Sequence, residues 1–234
     1  MKRGWMKRRS RPRGSWRREK TIKFGIIDYG AGNLGNVHRA LNGLGVENSV
    51  VDSAIEIKDA QALILPGVGS FAAGMEGLEK RDLVEPLCSE LKKGKHLLGI
   101  CLGMQLLFES SEEAEGIAGL ELLPGKSKLF PVETVAKVPH MGWNDLKFEK
   151  NTGLISGLEN FYFYFVHSYY LPISSVIKQH RLAVSRYRGI EFVSAVKKDN
   201  ITALQPHPEK SGSIGLKFLR NFVEEVKNES YSRR

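Results

Sequence analysis

In the first half of the chain, short continuous apolar runs alternate with stretches whose apolar residues recur every three or four positions. Gly25-Ile26-Ile27 is the heart of a predicted strand over 23–28, followed by a glycine-rich turn and by Asn33, a good helix N-cap. Leu34, Val37, Ala40, Leu41 and Leu44 then fall on one helical face, and Gly45 is placed to stop that helix. Residues 46–51 and 62–65 read as strands. Residues 70–93 read as one or two helices, interrupted near Pro86 and closed by Gly94. A buried strand is expected over 96–100 and a helix over 101–108. Apolar strands without alternation, separated by helices, indicate a parallel sheet covered on both faces.

The second half has a different texture. Residues 126–130, 134–138, 142–148, 161–166, 181–187, 191–196 and 201–204 are short, β-rich and separated by turn residues. A closing helix over 213–226 carries Ile214, Phe218, Leu219 and Phe222 on one face. The expectation is a single α/β domain with a mostly parallel sheet and an added antiparallel β layer in its C-terminal half.

At 234 residues, 41% of them hydrophobic, the chain can bury a substantial core. Two cysteines cannot form a disulfide framework, which points to a reducing, cytoplasmic location. No apolar run approaches the roughly 20 residues needed to cross a bilayer. The formal charge of +9 suggests a polyanion ligand until it is located. Ten of the 35 basic residues and one of the 26 acidic ones fall within 1–20, leaving 25 of each sign elsewhere. The folded body is therefore neutral, and no nucleic acid is expected to bind it. Residues 1–22 read as a basic, disordered extension or as sequence upstream of the true start, and residues 23–234 as the domain.

Candidate chemistry centres on Cys101. Gly99-Ile100-Cys101-Leu102-Gly103 fits G-x-C-x-G, the thiol counterpart of the strand-to-helix nucleophile elbow. Glycines on either side relieve the crowding of that turn, and the start of a helix favours thiolate. His207 and Glu209 are two apart, so in an extended stretch their side chains share a face, and the carboxylate can orient the imidazole. Leu65-Pro66-Gly67-Val68-Gly69 follows a predicted buried strand and can offer backbone N–H groups to an oxyanion. Cys88 reads as helix packing, His38 and His180 as exposed, and His96 as the start of a strand. No His/Cys cluster suggests a metal, and no cofactor is expected.

With these residues in view, the chain resembles the class I, triad-type glutamine amidotransferases, which have a flavodoxin-like α/β fold. More narrowly it resembles the glutaminase-subunit family of imidazole glycerol phosphate synthases. The likeness rests on Asp28–Leu34 (DYGAGNL), Pro66–Gly69 (PGVG), Pro139–Asn144 (PHMGWN), Val166–Tyr169 (VHSY) and His207–Ser211 (HPEKS), and runs from about residue 23 onward. Pro206 departs from the pattern, which usually has an aromatic residue before the histidine. The resemblance implies hydrolysis of L-glutamine, with Cys101 as nucleophile, His207 as acid and base, and Glu209 orienting His207. It implies an oxyanion hole at Leu102 and the Gly67–Val68 loop, and substrate contacts from Gln105, Ser168 and Tyr169. It also implies a heterodimer with a (β/α)₈-barrel cyclase that consumes the ammonia, with 139–144 and Trp143 as the candidate interface. His140 and His167 are expected to be structural or interface groups. A non-catalytic binding protein is the competing reading, and the intact Cys-His-Glu set weighs against it.

Overall fold

The structure is a computed structural model that describes residues 22–158 and 161–232, with side chains as far as residue 230. The expected basic extension therefore lies outside the described residues, save for Ile22. The chain opens with β1 (Phe24–Ile27), α1 (Leu34–Gly43), β2 (Asn48–Val51), α2 (Ala54–Asp59) and β3 (Ala62–Leu65). Next come α3 (Phe71–Lys80), α4 (Val84–Lys92), β4 (His96–Ile100) and the short α5 (Leu102–Gln105). The second half holds β5 (Ser110–Ser111), β6 (Lys126–Leu129), α6 (Val132–Val135), β7 (His140–Asp145) and β8 (Lys147–Phe148). β9 (Tyr162–His167), β10 (Tyr169–Pro172), β11 (Arg181–Tyr187), β12 (Ile190–Lys198), β13 (Ile201–Leu204) and α7 (Gly212–Ser232) complete it.

Strands β2, β1, β3, β4 and β13 lie side by side in that order and are parallel. This is the doubly wound order in which ligands gather beyond the carboxyl ends of the strands. The antiparallel part does not form a wholly separate layer. β12, β10 and β6 continue the same sheet from β13, with β11 and β8 branching from β12. Among the described residues, only β7 and β9 pair apart from it, as a two-stranded antiparallel ribbon. All residues of β1, β3, β4 and β13 are buried, because helices cover both faces. The apolar side chains divide into two clusters, one against α3 and α4, the other against α1 and α7. α7 contributes Phe218, Leu219, Phe222, Val223 and Val226 to the second; each such side chain stabilises the fold by about 1.5–3 kcal/mol.

Several local expectations change. The break between α3 and α4 falls at 81–83, where Asp82 has φ 53°. Pro86 instead sits in the first turn of α4, where its missing N–H has no intrahelical acceptor to serve. Residues 134–138 do not form a strand: Val132–Val135 make one helical turn, ended by Ala136 in the left-handed region at φ 55°. The helix expected over 101–108 narrows to α5, and the chain then turns back through Leu120 N–H to Leu106 O. His38 and His180 are half-buried rather than exposed; His38 Nδ1 pairs with Asn48 Oδ1 at 2.7 Å. Cys88 is half-buried against the α4 side of the core, as expected of a packing residue.

Candidate active site

Cys101 stands where β4 turns into α5, with φ 55° and ψ −110°. This strained conformation for a residue with a Cβ is held by its N–H, bonded to Leu204 O on β13 at 2.8 Å. Gly103 explains how the turn closes. A Cβ there would lie 1.8 Å from Leu65 O, so α5 can pack on the end of β3 only without a side chain at that position. Gly67 is equally confined, since a Cβ would meet Tyr29 Oη at 2.2 Å and Leu102 Cβ at 2.7 Å. The Pro66–Gly69 loop is thereby pressed against the first turn after Cys101. Tyr29 Oη fixes it further by donating to Pro66 O at 2.6 Å. Burial, and then the nearby Cys101, push the Tyr29 hydroxyl strongly up, so it remains a neutral donor.

Cys101, Val68, Leu102, Gln105, Ser168 and Tyr169 line one cleft of about 410 Å³. Gly67 lies buried beneath its rim. His207 follows β13, with its N–H bonded to Tyr164 O at 2.9 Å. Pro206 sits between Gln205, whose N–H bonds Ser194 O, and His207, so the substitution removes no ladder bond from either neighbour. Pro208–Lys210 form a 3₁₀ turn rather than an extended end. That turn folds Glu209 back onto the ring, and His207 Nδ1–H donates to Glu209 Oε1 at 2.8 Å, both side chains being 2% exposed. His207 Nε2, also buried, makes no conventional hydrogen bond. Burial pulls the imidazole down, but the Cys101 sulfur and the Glu209 carboxylate outweigh it and raise His207 to about 9. The pocket therefore favours imidazolium facing sulfur.

Three side chains and one pairing escaped sequence reasoning. Glu113 lines the cleft from the 106–125 turn-back and accepts Phe71 N–H at 2.7 Å. Lys210, the last residue of the 3₁₀ turn, also lines it. Gln205, fully buried, bridges Gln105 and Cys101. His167 lines the cleft and pairs with His140. Gln205 could have been found, because it lies two residues before His207, directly after a predicted buried strand. Glu113 sits in an acidic run without periodicity and gave no signal. Trp143 is 57% exposed, so it is not a core residue.

The paired histidines carry a fixed proton order. Tyr169 O can only accept, so His167 Nδ1, 2.8 Å away, bears a hydrogen. His167 Nε2 must then accept from His140 Nδ1–H at 2.9 Å. His140 Nε2 in turn accepts from Asn144 Nδ2 at 3.3 Å. Burial depresses His140 to about 4 and His167 to about 3, so both are neutral. Among the described residues, His96, Glu225 and Glu229 bring ligand atoms within 4.8 Å of one another. They lie at the opposite end of β4 from Cys101, where Glu229 pairs with His96 at 3.2 Å and Glu225 with Lys197.

Residues 25–226 match the model of the class-I glutamine amidotransferase family, and the chain belongs to that family. Solved structures share its fold. A glutamine amidotransferase superposes with a TM-score of 0.68 at 19% identity, covering 88% of this chain and 98% of that one. PurLQS from Thermotoga maritima gives 0.67 at 20% identity, covering 88% and 99%. Curated relatives are narrower. The imidazole glycerol phosphate synthase subunit HisH of Caldanaerobacter subterraneus subsp. tengcongensis is 46% identical over 205 residues, 87% of this chain and 98% of the relative. HisH of Methanothermobacter thermautotrophicus is 45% identical over 203 residues, 86% and 98%. HisH of Bacillus cereus is 48% identical over 198 residues, 84% and 92%. Within the amidotransferases, this chain is a member of the HisH subunit family, and it is an enzyme.

Proposed function

We propose that the chain hydrolyses L-glutamine and delivers the ammonia to a (β/α)₈-barrel cyclase subunit, which makes imidazole glycerol phosphate and AICAR in histidine biosynthesis. The observation that carries this reading is Cys101 in the wall of the cleft, backed by a buried His207 that bonds Glu209 and lies close enough to the Cys101 sulfur to be raised by it. The Cys101 thiol gives its proton to His207 Nε2, and the sulfur attacks the side-chain amide carbon. Negative charge develops on the amide oxygen, opposite the Leu102 N–H that opens α5 and the Gly67–Val68 loop. His207 then protonates the departing ammonia, leaving a glutamyl thioester. It next takes a proton from water as that water attacks, and returns it to sulfur as glutamate leaves. Glu209 holds the ring with Nδ1–H toward itself and Nε2 toward the reacting atoms.

Glutamine's other end needs complementary charge. Glu113 is placed for the α-ammonium group, the Ser168–Tyr169 segment for the α-carboxylate, and Gln105 for the amide-bearing chain. The exposed side chains of Met141, Trp143 and Tyr162 on the β7–β9 ribbon form the proposed cyclase-docking face. Pro139 and Val166 bring that ribbon to the cleft wall, so ammonia leaves next to the partner rather than into water. Residues 1–22 are proposed as a basic extension outside the catalytic domain, 23–234. A nucleophile that must remain a free thiol supports a cytoplasmic location. No described helix is long and apolar enough to cross a membrane.

The test is glutamate release by wild type, Cys101→Ala and Glu209→Gln chains, each with and without a barrel cyclase and its nucleotide. Cys101→Ala should abolish release, and Glu209→Gln should lower it by about 10²–10⁴. Turnover surviving in Cys101→Ala would refute the reading. Deleting residues 1–21 should leave coupled activity intact.

A further inference from the structure

A backbone carbonyl sets the hydrogen-bond polarity of every amide between itself and the nucleophile. Tyr169 O accepts from His167 Nδ1–H at 2.8 Å and from Gln105 Nε2 at 3.1 Å, which fills both of its lone pairs. Gln105 must therefore turn its nitrogen toward Tyr169. The second hydrogen on that nitrogen reaches the Gln205 side chain at 3.0 Å, and only an oxygen can accept it. With its oxygen so engaged, Gln205 turns Nε2 toward Cys101 Sγ, 3.7 Å away. Side-chain amides often have no intrinsic orientation, but here the orientation is dictated through three links from a fixed carbonyl. Gln205 is 1% exposed, so water does not compete for the interaction.

Backbone geometry supplies the second reason. Cys101 N–H bonds Leu204 O, the last residue of β13, and the residue that follows, Gln205, reaches the sulfur with its side chain. Gln205 and His207 both lie in the segment that leaves β13, and both side chains interact with the Cys101 sulfur. The sulfur thus faces the His207 imidazole, which carries the proton taken from the thiol, and an N–H donor in Gln205. A third neighbour, Val166 O at 3.8 Å, can accept the proton of the neutral thiol only.

We infer that Gln205 is a thiolate-stabilising residue of the glutaminase reaction, donating its side-chain N–H to the Cys101 sulfur once the proton has moved to His207. This rests on the reading of Cys101 as the nucleophile. A donor aimed at the charged form of an acid favours that form. The other titratable groups around the sulfur are Tyr29, His167 and His207, with Glu113 and Lys210 on the cleft wall. Tyr29 and His167 remain neutral through the working range, so neither supplies a charge that could stand in for Gln205.

The experiment is the pH dependence of Cys101 alkylation by iodoacetamide in the full chain, read by mass spectrometry, for wild type, Gln205→Met and Gln205→Glu. Met preserves size without a donor, and Glu presents only acceptors when ionised. Gln205→Met should move the inflection upward by about one pH unit, a tenfold loss of rate below it. Gln205→Glu should move it further, and neither should raise the KM for glutamine in proportion. Profiles that superpose on wild type, even with kcat reduced, overturn the inference and leave Gln205 a packing residue. If neither variant folds, the wild-type Gln205 side-chain amide resonance decides. Its shift should follow the Cys101 ionisation, and a resonance indifferent to pH rejects the inference. A wild-type Cys101 no more reactive than Cys88 would instead sink the nucleophile assignment, a distinguishable failure.

Discussion

The buried imidazole pair makes a quantitative forecast of acid sensitivity. His140 and His167 are folded as neutral rings, depressed to about 4 and about 3 from an ordinary 6.5. The unfolded chain protonates both below pH 6.5, whereas the folded chain does not until 4 or lower. Their contribution to stability is therefore intact above pH 6.5 and is lost as the pH falls from 6.5 toward 4 and 3. Each proton taken up only by the unfolded state costs about 1.4 kcal/mol per pH unit. Integrated from pH 7.5 to 5.0, one ring costs about 2 kcal/mol and the pair about 4, against a typical total of about 5–15. His207 has the opposite sign. Raised to about 9, it adds stability that is complete below pH 6.5 and lost as the pH rises through 9, so it contributes no loss below 6.5. The perturbation is His167→Asn, whose amide nitrogen can still donate to Tyr169 O. Urea unfolding of wild type and variant at pH 7.5, 6.0 and 5.0 is the assay. The variant should lose about 2 kcal/mol less than wild type over that span, whatever its stability at pH 7.5. Parallel curves would refute the assignment of two neutral, mutually bonded rings.

Two further substitutions probe the elbow. Gly103→Ala places a Cβ 1.8 Å from Leu65 O, an overlap with backbone that no rotamer relieves. It should destabilise by more than about 3 kcal/mol in thermal or urea unfolding, and a soluble variant with wild-type turnover would contradict the packing described. Tyr29→Phe strips the donor from Pro66 O, leaving a buried carbonyl unsatisfied. A loss of about 1–3 kcal/mol is expected. Glutamine turnover should fall more than glutamine binding, because the loop carrying Val68 loses its anchor; an equal effect on both would count against that role.

How much of this was legible in the sequence follows from what each signal is made of. β3, β4 and β13 match their expected bounds because a strand buried on both faces leaves a compact apolar run between polar turns, and β11 matches through its buried centre, residues 182–185. α2 was missed although Ser53 and Glu56 form a reciprocal cap, with Ser53 Oγ accepting Glu56 N–H and Glu56 Oε2 accepting Asp52 N–H. It buries only Ile57, too little for a periodic pattern. Residues 134–138 misled through β-branched content, since Val135 is buried from a helical turn rather than from a strand. Cys101, His207 and Glu209 stood out because their chemistry is unusual in an otherwise apolar setting. Gln205 and Glu113 did not, because a glutamine and a surface-like acidic run acquire meaning only from what folds against them.

The surroundings of Cys101 are shaped by backbone more than by the side chains proposed to react. Leu65 O excludes a side chain at 103, Leu204 O holds the Cys101 N–H, and Tyr169 O orients Gln105 and through it Gln205. Those carbonyls belong to β3, to β13 and to the first residue of β10, elements of one continuous sheet. A rigid sheet edge thereby fixes the strained turn, the position of the sulfur and the direction of the hydrogen bond it receives. Side chains on independent loops would have to find these three settings separately, each against its own conformational entropy. Because they share one frame, a shift of β13 relative to β4 would disturb Cys101, Gln205 and His207 together. Substitutions at the β4–β13 seam, such as Ala203→Val beside Gly99, should therefore reduce alkylation rate and turnover in the same proportion, whereas independent positioning would let one change without the other.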